Sequence, residues 1–153
     1  MDEVIEHLRS IIAAPNDRSQ TARRVAEAIR DARGYRWVGL YDVAATEIVA
    51  VGWSGAVAPT FPRFPIDRGL NGAAVRSAQP VVAQDVSVDP RYVTTFGSTG
   101  AEAIFPVVSP STGQVIGTID AESDRTYAFT LDDNAFLSAC AKALLPLWLG
   151  LQP

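Results

Sequence analysis

Three carboxylates stand near the ends of apolar runs, where a sheet would gather them: Glu102, Asp120 and Glu122. Glu102 enters the run Ala103 to Val108, and Asp120 and Glu122 lie two apart near the end of Gln114 to Glu122. Alternate residues of a strand point to the same face, so Asp120 and Glu122 share a side. Next to a long polar loop, Asp85 to Ala101, such acids make a pocket mouth suited to a cation, for instance the ammonium of an amino acid. They could equally cap loop amides or face water, as isolated acids at strand ends mostly do. Arg68 is the complementary group. It could clamp a carboxylate bidentately, or it could form an internal salt bridge with one of the acids. Tyr92, Phe96 and Trp53 are candidate apolar walls, and they could as easily be core. The Gly69-Leu70-Asn71-Gly72 turn could receive an anion on free N–H groups, although a tight turn alone accounts for two glycines.

The elements that must position these residues follow from periodicity. Val4, Ile5, Leu8, Ile11 and Ile12 fall at helical spacing behind Asp2, an N-cap candidate, and Pro15-Asn16-Asp17 breaks the run. A second helix starts near Ser19, carries Ala22, Val25, Ala26 and Ile29 on one face, and ends near Gly34. Trp37 to Tyr41 and Ile48 to Trp53 then read as a hairpin of aromatic and β-branched residues. Beyond an irregular stretch from Gly55, Arg63 to Ile66 is strand-like. Gly69 and Gly72 bracket the entry to a short helix, Ala73 to Ser77, and Pro80 to Ala83 is a brief strand. The strands Ala103 to Val108 and Gln114 to Glu122 meet at a turn, Pro110 to Gly113. A last helix is capped by Thr130 with Asp133 as its capping-box partner. Its end, Leu144 to Leu151, is apolar nearly all round and needs cover from the first helix, the sheet or a second subunit. The order predicts an α+β fold: an antiparallel sheet of about six strands with the N- and C-terminal helices packed on one face. With 153 residues the chain fits one domain, 1–153.

Composition removes several function classes. A net charge of −4 offers no basic field for phosphates, so nucleic acid is not an expected partner. No apolar stretch reaches the ~20 residues of a membrane span, and the N-terminus opens acidic rather than as a signal peptide. A single cysteine, Cys140, fits a reducing compartment and a cytoplasmic location. It lies among Phe136, Leu137 and Leu144, where a buried inert thiol is expected. His7 is the only histidine, so zinc-type ligation and a serine–histidine–aspartate triad both lack partners. No metal or other cofactor is expected.

Three segments together resemble the GAF fold, and most of all its free methionine-(R)-sulfoxide reductase branch. They are Phe64 to Ala74, Gly100 to Val107, and Val115 to Ser123, with Trp37-Val38-Gly39-Leu40-Tyr41 as a further echo. The resemblance implies that Glu102, Asp120 and Glu122 hold the substrate, with Glu122 longer by a methylene than the family's usual aspartate. It also implies cysteines at the positions of Phe61, Asn71 and about Thr95, and none is present. Sulfoxide reduction of this kind needs an attacking thiolate and a resolving thiol. The expectation is therefore a catalytically inactive relative: a cytoplasmic, homodimeric sensor or binding module for an amino-acid-like ligand, with Glu102, Asp120, Glu122, Arg68, Asn71, Trp53 and Tyr92 around it. Two alternatives stand beside it. One is an enzyme of non-redox chemistry using Asn71 or Thr95 with a carboxylate base. The other is an interaction domain whose pocket is filled by Phe61.

Overall fold

The computed structural model describes residues 1–150. It runs α1 (Asp2–Ala13), α2 (Arg18–Arg33), β1 (Trp37–Val43), β2 (Glu47–Ser54), β3 (Arg63–Pro65), α3 (Gly69–Ser77), β4 (Val81–Ala83), β5 (Ala101–Val108), β6 (Val115–Ser123), α4 (Leu131–Ala143) and α5 (Leu145–Leu149). The six strands form one antiparallel sheet in the order β3-β2-β1-β6-β5-β4. This is the α+β arrangement expected from the sequence.

Alternation along three strands separates core from site. Val38 and Leu40 of β1, Ala101, Ala103, Phe105 and Val107 of β5, and Ile119 and Ala121 of β6 point to one face. There they meet Leu8 and Ile12 of α1, Val25 and Ile29 of α2, and Phe136, Leu137 and Cys140 of α4. Burial of each large aliphatic side chain contributes roughly 1.5–3 kcal/mol, so this layer fixes the register. The intervening residues, Glu102, Thr118, Asp120 and Glu122 among them, are thereby turned to the other face. On that face α3 packs Leu70, Ala73 and Ala74 against Val81, Ala83 and Ile104. Trp37, Tyr41 and Ile48 form a separate aromatic cluster beside it, with Phe64, Ile66 and Phe96.

The helix ends follow local chemistry, with corrections. Asp17 caps α2 by accepting from the Gln20 amide, and Gly34 ends that helix at φ 67. Thr130 and Asp133 form the expected reciprocal capping box on α4. Asp2 is not a cap: it is the first residue of α1, Met1 precedes it, and no side chain caps the end. It places its charge against the helix N-terminus instead. α3 begins at Gly69, four residues earlier than expected, and Gly72 lies inside it. A Cβ at 72 would sit 2.5 Å from the Asp67 carbonyl carbon, so only glycine lets the helix start this close to the preceding turn. The apolar C-terminal run divides into α4 and α5 at Leu144, with Pro146, which lacks an N–H, in the first turn of α5. Leu151 lies outside the described residues. The loop after β4 contains a short 3-10 turn, Val86–Val88, capped by Asp85. Among the described residues no helix is long and apolar enough to cross a membrane.

Candidate functional site

The register brings the three acids together. Glu102 of β5 pairs directly with Glu122 of β6, and Ile104 pairs with Asp120. On the other side of β6, Gly39 of β1 pairs with Asp120 and Trp37 with Glu122. One carboxylate oxygen from each of Glu102, Asp120 and Glu122 lies within 4.8 Å of the other two. All three are buried, at 7, 5 and 2 % exposure. They line a cavity of about 50 Å³ together with Phe61, Arg68, Asn71, Thr95 and Phe96.

Few donors compensate them. Thr118 Oγ1 donates to Asn71 Oδ1 at 2.6 Å, and Asn71 Nδ2 donates to Asp120 Oδ2 at 3.1 Å. Thr99 Oγ1 donates to Glu122 Oε1 at 2.8 Å. Asp120 Oδ1 receives nothing from any amide, hydroxyl or guanidinium, and Thr95 Oγ1 is likewise buried and unpaired. No ion pair to the three acids exists among the described residues. Two unit charges within 4.8 Å repel by at least about 3.5 kcal/mol at an effective permittivity of ~20. Three ionised carboxylates would then oppose folding by on the order of 10 kcal/mol, comparable with the whole stability of an ordinary domain.

The acids respond by holding protons. Burial pushes Asp120 up to about 6, against the pull of a hydrogen bond with Glu102 and of the Asn71 amide. Burial, then the Asp120 charge, pushes Glu122 up to about 8. Glu102 is raised well above the carboxylate range by burial and by the charges of Asp120 and Glu122. Tyr41 is held as a neutral phenol by burial and by the three acids it faces.

The aromatic wall is a chain of rings. Phe96 lies 5.3 Å from Trp37, Trp37 lies 6.5 Å from Tyr41, and Tyr41 lies 5.7 Å from Phe64, centroid to centroid. Gly39 makes this wall possible. A Cβ there would fall 2.3 Å from the Trp37 ring and 2.9 Å from Tyr41.

Of the residues expected around a ligand, Glu102, Asp120, Glu122, Arg68 and Asn71 border the cavity, and Trp53 and Tyr92 do not. Trp53 pairs with Gly39 from the far side, on β2. It is therefore two strand spacings, roughly 10 Å, from Asp120, with the Trp37 ring folded between. Tyr92 packs behind α3 on the Leu70 cluster. Phe96 does line the cavity. Arg68 is exposed and does not make the internal salt bridge to one of the acids that was one of its two expected roles; its guanidinium lies 4.9 Å over the Phe61 ring. Phe61 is thus a wall under Arg68, and the cavity beside it is open. Cys140 is fully buried in the opposite layer, with its thiol pushed up to about 12 by burial, and His7 is exposed on α1. Sequence reasoning missed Thr118, although its place two residues before Asp120 puts it on the same face. It also missed Thr99, which no periodic pattern marks.

Known proteins resemble this architecture closely. The chain is 24% identical over 144 residues to GAF domain-containing protein A of Dictyostelium discoideum, covering 94% of this chain and 89% of that protein. The structure of free methionine-R-sulfoxide reductase from Neisseria meningitidis, in complex with its substrate, superposes with a TM-score of 0.86. Its identity is 29%, covering 97% of this chain and 87% of that one. The type II free methionine-R-sulfoxide reductase from Thermoplasma acidophilum gives a TM-score of 0.77 at 28% identity, covering 94% of each chain. These two likenesses overturn the expectation of a catalytically inactive relative. Both are to enzymes, over nearly the whole chain, and the missing cysteines at Phe61, Asn71 and Thr95 do not by themselves establish inactivity. The GAF domain family model matches residues 17–144, and the chain belongs to the GAF domain family.

Proposed function

We propose that the chain binds a small amino-acid-like molecule in the acid-lined cavity, with the ligand's ammonium on Asp120 and its two neighbours. The observation that carries this reading is Asp120 Oδ1, buried beside two further carboxyl groups without an amide, hydroxyl or guanidinium donor and with no cationic side chain paired to the set. A buried carboxylate left without a partner is costly, and an ammonium supplies both the charge and the missing donors. The aromatic wall of Trp37, Tyr41 and Phe96 suits an apolar side chain, and Arg68 at the rim suits a carboxylate. Free methionine sulfoxide is the first candidate, because the reductase relatives are named for it. Any turnover in this pocket draws on carboxyl, hydroxyl and amide groups, since the only thiol of the chain lies in the core. A homodimer is part of the proposal, with the half-exposed Leu149 of α5 as one contact.

The test is a thermal-shift screen against methionine sulfoxide, free amino acids, simple amines and nucleotides, followed by a turnover assay on any hit. A ligand at about 100 times its dissociation constant stabilises the fold by ~2.7 kcal/mol, a shift of several degrees at this size. The reading requires a hit that fades in Glu102→Gln and Asp120→Asn. A flat response to every amine and amino acid would sink it.

A further inference from the structure

Water barely reaches the three acids: Glu102, Asp120 and Glu122 are 7, 5 and 2 % exposed. A molecule larger than water reaches them less, so part of the cavity wall has to move for a ligand to dock on them. Besides α3 and the sheet, two loops supply that wall. One is 55–62, between β2 and β3, which contributes Pro59, Thr60 and Phe61; the other is 93–98, before β5, which contributes Val93, Thr95 and Phe96.

The two loops are held very differently. In the first, Val57 O accepts from Trp37 Nε1 at 3.1 Å, Pro62 O accepts the Ala50 amide at 2.8 Å, and the Phe61 ring carries the Arg68 guanidinium. The second is fastened at its ends. The Tyr92 amide donates to Asp89 O at 3.2 Å on one side. On the other, Thr99 Oγ1 donates to Glu122, and Gly100 donates to Ser123 O at 2.8 Å and accepts from the Val86 amide at 2.9 Å. Between these ends, among the described residues, no backbone group of 93–98 joins a backbone–backbone hydrogen bond. Two specific contacts hold the segment down. Thr60 Oγ1 donates to Thr95 O at 2.8 Å, from one loop to the other. The Phe96 ring packs on Trp37 at 5.3 Å and under the Arg36 guanidinium at 5.6 Å. Arg36 Nη1 and Thr95 Oγ1 are buried without partners, so neither adds a tie. Val93 lies over Gly69, which has no side chain for it to grip. Segments with so few backbone bonds open at the low end of a protein's stability range.

We propose that 93–98 is a lid on the acid-lined cavity, held shut by the Thr60–Thr95 latch and by Phe96 on Trp37, and that it lifts away from the fixed 55–62 loop to admit a ligand. Gly97, at φ 74 with open space around its missing Cβ, lets the segment turn beside Phe96. Tyr92 and Gly100 are the ends about which it moves. A Cβ at 100 would stand 2.6 Å from the Arg125 carbonyl carbon, so that end is packed against 124–126 and stays put. The lid rests on the ligand reading above for its purpose, but its opening is measured without a ligand.

A water-soluble carbodiimide with ethanolamine converts reachable carboxyl groups to amides, and mass spectrometry of peptides locates them. In the parent protein Glu102, Asp120 and Glu122 should react far more slowly than the exposed Glu3 and Glu27. Thr60→Val removes the latch donor, keeps the shape of the side chain and opens no hole in the wall, so it carries the test. It should speed reaction of the three acids about two- to tenfold, the range for one hydrogen bond. Phe96→Ala should speed them further, and Phe96→Leu, which keeps bulk without the ring, should do so less. Iodoacetamide on Cys140, fully buried in the opposite layer, reports global unfolding and should react in Thr60→Val at the parent rate. Parent acids that react as fast as Glu3 and Glu27, unchanged rates at the acids in Thr60→Val or Phe96→Ala, or an acceleration in Thr60→Val matched at Cys140 would each overturn the lid. A flat screen of amines and amino acids leaves these rates as they are, so the ligand reading and the lid fail separately.

Discussion

Replacing Glu122 by glutamine should stabilise the protein at alkaline pH and leave it unchanged at acid pH. Glu122 is 2 % exposed and directly opposite Glu102 in the sheet. Folding raises its proton affinity from the ordinary glutamate value of 4.5 to about 8, chiefly by burial and then by the Asp120 charge. The sign follows from linkage. Below about pH 4.5 the side chain is protonated in both the folded and the unfolded chain, and it contributes no differential. As the pH rises the unfolded chain ionises first, so stability is lost progressively until the folded group also ionises near pH 8. Above that point Glu122 and Asp120 are both charged within 4.8 Å, a repulsion of at least about 3.5 kcal/mol. Glutamine removes that repulsion and still offers an oxygen to the Thr99 hydroxyl. The melting temperature of a domain this size moves by roughly 2–4 °C per kcal/mol. Glu122→Gln should therefore melt about 7–14 °C above the parent at about pH 9 and within a degree or two of it at about pH 4.5. Thermal unfolding followed by circular dichroism across that range measures both. A gap of equal size at the two ends would refute the reasoning, because a repulsion between carboxylates vanishes once either is protonated.

Three further outcomes rest on other parts of the structure. Tyr35→Phe removes the buried hydrogen bond from the tyrosine hydroxyl to Asp133 Oδ1, 2.7 Å long, and should lower stability in urea by about 1–2 kcal/mol; no loss would mean that the bond contributes nothing net. Gly39→Ala places a methyl 2.3 Å from the Trp37 ring. It should cost about 1–3 kcal/mol and disturb the tryptophan fluorescence, and unchanged values of both would contradict the packing described for the pocket wall. Cys140, fully buried with a thiol pushed up to about 12, should react with a thiol reagent only as fast as the protein unfolds, so labelling of the native protein faster than unfolding would refute its burial.

Period and register made most of the fold legible before any coordinates. The six strands, the two N-terminal helices and the Thr130 capping box could be read because each depends on neighbours in sequence. The shared side of Asp120 and Glu122 was legible for the same reason. What could not be read depends on contacts across the sheet. Trp53 and Trp37 are both aromatic residues on adjacent strands, and nothing local says which ring covers the acids. The answer lies in Gly39, which pairs with Trp53 on one side and Asp120 on the other and lets the Trp37 ring fold over the strand. Tyr92 was misplaced because its loop turns at Asp89, whose carbonyl accepts the Tyr92 amide, and this carries the ring behind α3. Arg68 was assigned either a ligand or an acid partner, and its local partner proved to be the Phe61 ring.

The acids themselves give the strongest indication that the cavity has a function. On the same face of the same strands, Ile104 is buried and satisfied by α3. An apolar residue at 102, 120 or 122 would have met similar surroundings at no electrostatic cost. The chain instead holds three carboxyl groups in a space that folding alone would fill with aliphatic side chains, and it raises all three proton affinities to do so. Perturbed titratable groups gathered in a cleft are a signature of functional sites, and local choices that oppose the fold concentrate there. Thr118 and Asn71 sharpen the argument. They do not relieve the repulsion by supplying a positive charge; they orient one donor at one oxygen and leave the neighbouring oxygen of the same carboxylate without an amide, hydroxyl or guanidinium donor. An arrangement built only for stability would have paired both.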